Sequence, residues 1–133
     1  NLKHRRNYLK KIILKLKKNR SRVSLFIEPS IIDVKNSYLL NADCIEIHTG
    51  KLCNLINEKK NYSKELKKIR KAAFLADKLG LEVHAGHGLT YKSAKILSKV
   101  KHIKEFNIGH FLIGESIFFG LKRTIKKFIK ELK

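Results

Sequence analysis

Apolar residues recur along the chain in two alternating rhythms. Between Leu2 and Lys18 they fall at Leu2, Tyr8, Leu9, Ile12, Ile13 and Leu16, separated by Lys and Arg, the spacing of an amphipathic helix. Asn19 to Arg22 ends it, and residues 23–28, Val-Ser-Leu-Phe-Ile-Glu, read as a strand closed by Pro29 and Ser30. A short helix is predicted over 31–37, with Ser30 as its cap and Asp33 three residues on, close to a capping box. Residues 43–50 form a second predicted strand, and the polar stretch 51–61 reads as a loop or a broken helix. Ser63 is then expected to cap a strong helix over 64–79, whose Leu66, Ile69, Ala73, Ala76 and Leu79 share one face and which Gly80 stops. Strand 81–85, helix 90–98 and strand 105–108 follow. A one-turn helix is expected at 111–113 and a terminal helix over 115–132.

Strand and helix thus alternate with short connections, which predicts an α/β fold of parallel strands joined by right-handed crossovers. No internal repeat and no Pro- or Gly-rich linker divides the chain, so residues 1–133 are read as a single domain. The chain begins at Asn1 and contains no Met, and it is expected to be a piece of a longer protein.

Charge changes this picture only a little. Lys and Arg number 31 against 11 Asp and Glu, a formal net charge of +20. An excess of this size raises nucleic-acid binding as a rival function. The lysines, however, spread along every predicted helix rather than forming one block, as solvated faces do, and Phe118, Phe119 and Phe128 fall at helical positions expected to be core. The charge is expected to steer anionic ligands to the protein. No apolar run approaches the ~18 residues of a membrane span. Two cysteines, Cys44 and Cys53, suit a reduced, cytoplasmic protein and form no metal pattern with the histidines.

In parallel α/β folds ligands bind where the strands end at their carboxyl side. Those ends here are Ile27-Glu28, Glu46 to Gly50, Ala85-Gly86-His87-Gly88 and Asn107-Ile108-Gly109-His110, each bringing a polar or ionisable residue. The opposite ends are expected to carry little. Side-chain alternation puts Ile45 and Ile47 against the helices and leaves Cys44, Glu46 and His48 on the other face. The same parity sends His84 with Gly86, and Asn107, to that face. If the sheet closes into a barrel, Glu28, Glu46, His48, His84 and Asn107 converge on a polar mouth.

His87 is the leading candidate for proton transfer, because its ordinary pKa lies near neutrality and Gly86 and Gly88 let the backbone turn sharply beside it. A turn histidine is the plain alternative. Glu46, in mid-strand between two isoleucines, is costly to bury unpaired; it is either functional or a structural carboxylate satisfied by Lys or Arg. Gly109 and His110, ahead of a short apolar helix, are either a tight turn or a phosphate seat. His48 and His84 are read as supporting or core residues, Glu28 is left open, and His4 and His102 are surface. Zinc finds no helical His-x-x-x-His spacing, and no metal site is expected.

These four strand-end motifs, from Val23–Glu28, Ile45–Gly50, Ala85–Tyr91 and Phe106–His110, resemble in order and spacing the C-terminal half of the pyridoxine 5'-phosphate synthase family. The resemblance implies a (β/α)8 TIM barrel, of which this chain supplies the last four βα units. It implies condensation of 1-deoxy-D-xylulose 5-phosphate with 3-amino-2-oxopropyl phosphate to pyridoxine 5'-phosphate, phosphate and water, without metal or organic cofactor. By it, His87 matches a proton donor and Glu46 a transition-state-stabilising carboxylate, while Gly88, Gly109 and His110 match positions that hold the aminoketone phosphate. Small phosphorylated substrates and a large homo-oligomer of the full-length protein are implied, with no nucleic acid and no membrane. The chain departs from the family at Glu28, where Asp is usual, at His84, where Asn is frequent, and at Glu115, where Arg is common, so the roles of these residues stay open. Half of the expected catalytic set lies on the first four strands, and the 133 residues alone are expected to have little or no activity. The alternative enzyme, another phosphate-binding barrel such as an isomerase or aldolase, normally uses a strand-end Lys or Asp, and no strand-end Lys is present.

Overall fold

The structure, a computed structural model, describes residues 5–132; the expectations for Leu2 and His4 fall outside them. Along the chain run α1 (Arg6–Lys18), β1 (Ser24–Ile27), α2 (Ile31–Leu39), β2 (Cys44–His48), α3 (Gly50–Asn57), α4 (Ser63–Lys78), β3 (Glu82–Gly86), α5 (Tyr91–Leu97), β4 (Ile103–Asn107), α6 (His110–Phe119) and α7 (Leu121–Leu132). The four strands form one parallel sheet in the order β1-β2-β3-β4. Sequential neighbours that are all parallel need a crossover between each pair, and the helices supply it.

The core lies between one face of this sheet and the helices. Ile45, Ile47 and Val83 are buried there against Ile69, Ala72, Ala73 and Ala76 of α4, Leu97 of α5, and Leu52, Cys53 and Ile56 of α3. Register pairs Ile45 with Val83 and Ile47 with Ala85, so the alternate residues Glu46, His48, His84 and Gly86 share the opposite face, as side-chain parity predicts. Both β1 and β4 are edge strands, and Phe26, on the same inner face as Glu46, stays 57 % exposed.

Residues 51–61 are not mainly loop: α3 runs from Gly50 to Asn57 because Leu52, Cys53 and Ile56 make a buried stripe between the polar residues. Ser63 does not cap α4. Tyr62 holds the cap position, and the Asn61 side chain accepts the Ser63 N–H at 2.9 Å instead. The chain does not break at Gly114, which lies inside α6; the break is Gly120, at φ 79° and ψ 143°, a backbone conformation glycine tolerates. Ser30 does cap α2, accepting from the Asp33 N–H, and Thr90 and Ser93 form a reciprocal capping box on α5.

Phe128 is buried, but Phe118 and Phe119 are 81 % and 52 % exposed, and the Arg123 guanidinium lies 5.7 Å from the Phe119 ring centroid. Their helix, α6, is apolar on all sides and buries none of its residues, so helical spacing alone did not make them core. Nor are the amino ends of the strands empty. Arg22, Asp43, Glu82 and Lys17 form ion pairs there.

One of these ties the first helix to the sheet. Asp43 Oδ1 lies 2.8 Å from Lys17 Nζ, and its Oδ2 accepts the Val23 N–H at 2.9 Å. The Lys17 bond, and behind it the Val23 amide, hold the Asp43 carboxyl below its ordinary range against the effect of burial. A depressed folded-state pKa adds stability that is present above the unfolded value near ~4 and lost as pH falls through the folded one. Asp43→Asn is therefore expected to be less stable by about 1 kcal/mol at neutral pH. Urea titrations repeated at falling pH should show that difference shrinking as the Asp43 carboxyl takes up its proton, at a pH below that of an ordinary carboxylate.

Candidate active site

Because the strands are parallel and nearly in register, their carboxyl ends make one rim. On the inner face the rows run Phe26, Glu46, His84, Glu105 and, one pleat higher, His48, Gly86, Asn107. Glu46 is half-buried, and its Oε2 accepts from Asn107 Nδ2 at 2.6 Å. That bond joins β2 to β4 across β3, and the residue between them is Gly86. A Cβ on Gly86 would overlap Glu46 Oε1 and come within 3.2 Å of Asn107 Cβ. Gly86 thus keeps the lane open through which the carboxylate reaches. Its hydrogen-bond partner is a neutral amide rather than the Lys or Arg of the structural alternative, so the Glu46 charge is oriented but not cancelled by a cation.

His87 follows β3 and is exposed, in the left-handed region at φ 77°; Gly88 has φ 75°. A histidine held in this conformation costs about 1–2 kcal/mol, which the surroundings must offset. They do so from α3. The Thr49 N–H donates to Gly86 O at 2.9 Å, and Thr49 Oγ1 lies 2.8 Å from both Gly86 O and His87 O. Gly50 then gives the two imidazoles room, since a Cβ there would stand 2.8 Å from His87 Cδ2 and 2.9 Å from His48 Cε1. The rings of His48 and His87 lie 4.5 Å apart at 37°, and Phe26 meets His48 edge-on at 5.2 Å. His48 Nδ1 is 3.3 Å from the exposed carboxylate of Glu28.

Beside His87 opens a cavity of about 650 Å³ lined by Gly88, Thr90, Asn107, Gly109, His110 and Phe111, among others. Gly109 is the N-cap residue of α6 and His110 its first residue. The first-turn N–H groups of a helix have no partners within it, so this end of the cavity suits an anion. A Cβ on Gly109 would meet nothing within 4 Å, so the part of this glycine is backbone access rather than avoidance of a clash. A shallower depression of about 380 Å³, on the side of Lys51 and Asn54, also has His87 and Gly88 in its wall. The imidazole therefore stands between two openings.

The rim brings together Glu46, His87, Gly88, Gly109 and His110, with Glu28, His48 and Asn107 beside them. It does not include His84, His102 or Glu115. His84 is buried on the inner face nearer the amino ends, with Nε2 at 2.8 Å from Glu82 and Nδ1 at 3.6 Å from Glu105. Ligand atoms of Glu82, His84 and Glu105 lie within 4.8 Å of one another, the described residues that come nearest to a metal-binding set, although Arg22 already pairs with Glu82 at 3.1 Å. His102 bonds to Asp77 at 2.9 Å on the helix side. Glu115 lines a separate cleft of about 220 Å³ with Tyr91, Arg123 and Lys127. Cys44 and Cys53 are free and buried, and burial pushes both thiols up. Thr49 and Gly50 fall within the strand end Glu46–Gly50, but the sequence singles out neither as a site residue. A Thr-Gly pair between a strand and a helix signals a turn, and nothing local says that its hydroxyl reaches a loop 38 residues on.

The family model for pyridoxal phosphate biosynthesis protein PdxJ matches residues 1–133. The chain belongs to the PdxJ family. It is 55 % identical over 128 residues to the pyridoxine 5'-phosphate synthase of Pelagibacter ubique (strain HTCC1062), covering 96 % of this chain and 54 % of that protein. Against the enzyme of the same name from Zymomonas mobilis subsp. mobilis the identity is 50 %, over 90 % of this chain and 46 % of the relative. For Sulfurihydrogenibium sp. (strain YO3AOP1) it is 45 %, over 95 % and 51 %. The chain thus spans about half the length of the curated PdxJ relatives it matches. Among the described residues no helix is long and apolar enough to cross a membrane.

Proposed function

We propose that this chain is the C-terminal half of a (β/α)8 barrel, one domain over residues 1–133, and that the whole barrel is a pyridoxine 5'-phosphate synthase. The observation that carries the reading is the single rim on which a carboxylate, an imidazole and an amide-lined anion pocket meet. Family membership and relatives of that name support the same reaction. Two open sheet edges and a half-exposed Phe26 on the inner face support a fold that continues with further strands.

In this reading 3-amino-2-oxopropyl phosphate binds with its phosphate at Gly88, Gly109 and His110, on backbone N–H groups and under the long-range pull of the +20 charge. Its condensation with 1-deoxy-D-xylulose 5-phosphate requires imine formation, loss of phosphate and water, and aromatisation, each of which needs a proton moved to or from carbon, nitrogen or oxygen as bonds form and break. His87 gives the proton to the departing oxygen. Glu46, fixed by Asn107 and carrying no cationic partner, stabilises the positive charge that develops on the iminium nitrogen. His48 packs on His87, and Glu28 faces His48 Nδ1, which orients the pair. The substrates are small phosphate esters, the reaction needs no metal or organic cofactor, and the full-length protein works in the cytoplasm as a homo-oligomer without nucleic acid.

A pyridoxine-requiring bacterial strain tests this. The gene that encodes the protein, with the reading frame as it naturally stands, should restore growth without pyridoxine. The 133-residue segment alone should not. Growth restored by the segment, or no growth with the whole gene expressed and folded, would contradict the proposal.

A further inference from the structure

The structure assigns to Thr49 a positioning role: its hydroxyl sets the orientation of the His87–Gly88 peptide, so that the Gly88 N–H faces the bound phosphate. This rests on the phosphate-ester reading of the site above and adds to it a residue that does not itself touch substrate.

Thr49 is fully buried at the junction of β2 and α3. Its hydroxyl has one proton and two carbonyl oxygens at 2.8 Å, Gly86 O and His87 O. Gly86 O already accepts the Thr49 N–H at 2.9 Å. His87 O otherwise meets only the weak Cys53 S–H donor at 3.7 Å. Leaving that carbonyl so poorly served is the costlier choice, so the hydroxyl proton belongs to His87 O.

One bond then fixes two groups. The peptide between His87 and Gly88 is trans, so its N–H points opposite to its C=O. Gly88 stands in the wall of both openings; with the carbonyl drawn to the first turn of α3, on the side of the smaller one, the N–H opposite it is assigned to the larger cavity that Gly109 and His110 also line. Among the described residues no acceptor meets this N–H. The strain in this pose sits at His87, at φ 77°, and would favour relaxation, whereas Gly88 accepts φ 75° without steric cost. Gly50 and Cys53 press the same loop from below: a Cβ on Gly88 would lie 3.3 Å from Cys53 Cβ and 3.5 Å from Gly50 Cα. The hydroxyl thus locks a peptide that packing has already confined.

Thr49→Val keeps the shape and removes the donor, whereas Thr49→Ser keeps the donor and removes a methyl group. In the protein as its gene encodes it, Thr49→Val is expected to raise KM for 3-amino-2-oxopropyl phosphate by about 10- to 100-fold. KM for the sugar phosphate should stay within about 2-fold, and Thr49→Ser should stay within about 3-fold of wild type on both. An unchanged aminoketone KM in Thr49→Val, or equal losses for both substrates, overturns the assignment. So does a Thr49→Ser variant as impaired as Thr49→Val. If Thr49→Val does not fold, Thr49→Cys, a weaker donor, must show the same substrate-selective rise, and its absence is equally decisive. A protein that makes no product refutes the functional reading instead. Calorimetric titration with inorganic phosphate then still reads Thr49, since affinity must fall at least about 10-fold in Thr49→Val. Equal affinities overturn the assignment.

Discussion

Replacing His87 by glycine is expected to lower turnover by about three orders of magnitude while leaving stability within about 1 kcal/mol of wild type. Loss of a positioned general acid accounts for the first part. The second follows from the backbone. His87 lies at φ 77°, where a side chain pays a steric penalty that glycine does not, and the relief offsets glycine's greater freedom in the unfolded chain. Its ring is exposed and packs mainly on His48, so little core contact disappears. His87→Ala keeps the strain and loses the imidazole, so it should be no more active and less stable than His87→Gly. Steady-state kinetics and thermal unfolding on the same preparations separate these effects. A glycine variant that is destabilised by several kcal/mol would mean that the histidine holds the loop rather than serving chemistry.

Gly86→Ala is expected to cost about 1–3 kcal/mol and about 100-fold in turnover. The added methyl group would occupy the space of Glu46 Oε1 and press on Asn107 Cβ at 3.2 Å. The Glu46 backbone cannot retreat, because Ile45 and Ile47 on either side of it are fully buried and fix the strand, so the side chain has to give way. It must swing off Asn107, which leaves both polar groups half-buried and the carboxylate misplaced. Gly114→Ala is the control. That glycine lies inside α6 with open space around it, so alanine should be neutral or stabilising by up to about 1 kcal/mol. Equal behaviour of the two variants in denaturant and in assay would remove the lane over Gly86 from the account.

The strands and their inner and outer faces were legible in the sequence because period-two alternation is strict where one face is buried. Ile45 and Ile47 point one way, and Glu46 and His48 the other. The rim followed from parity and from parallel direction. What the sequence did not disclose depends on contacts across long separations. Asn107 is 61 residues from Glu46 and gives it a neutral amide partner, not the Lys or Arg of the structural alternative. Thr49 reaches His87 across 38 residues. Residues 51–61 stayed open between a loop and a broken helix because Lys51, Asn54 and Asn57 hid the buried stripe of Leu52, Cys53 and Ile56. The error at Phe118 and Phe119 is of another kind. Helical spacing places side chains on a common face, but α6 buries none of its residues, and Phe118 and Phe119 stay 81 % and 52 % exposed.

The reading depends on one rim working as a unit, with Glu46 and His87 acting on the same pair of substrates. Its most direct test is formation of pyridoxine 5'-phosphate from 1-deoxy-D-xylulose 5-phosphate and 3-amino-2-oxopropyl phosphate by the protein as its gene encodes it, with Glu46→Gln, His87→Asn and the double variant alongside. The predicted result is product from wild type, losses of at least about 100-fold in each single variant, and a double variant little worse than the poorer single. Undiminished product formation by either single variant would contradict it.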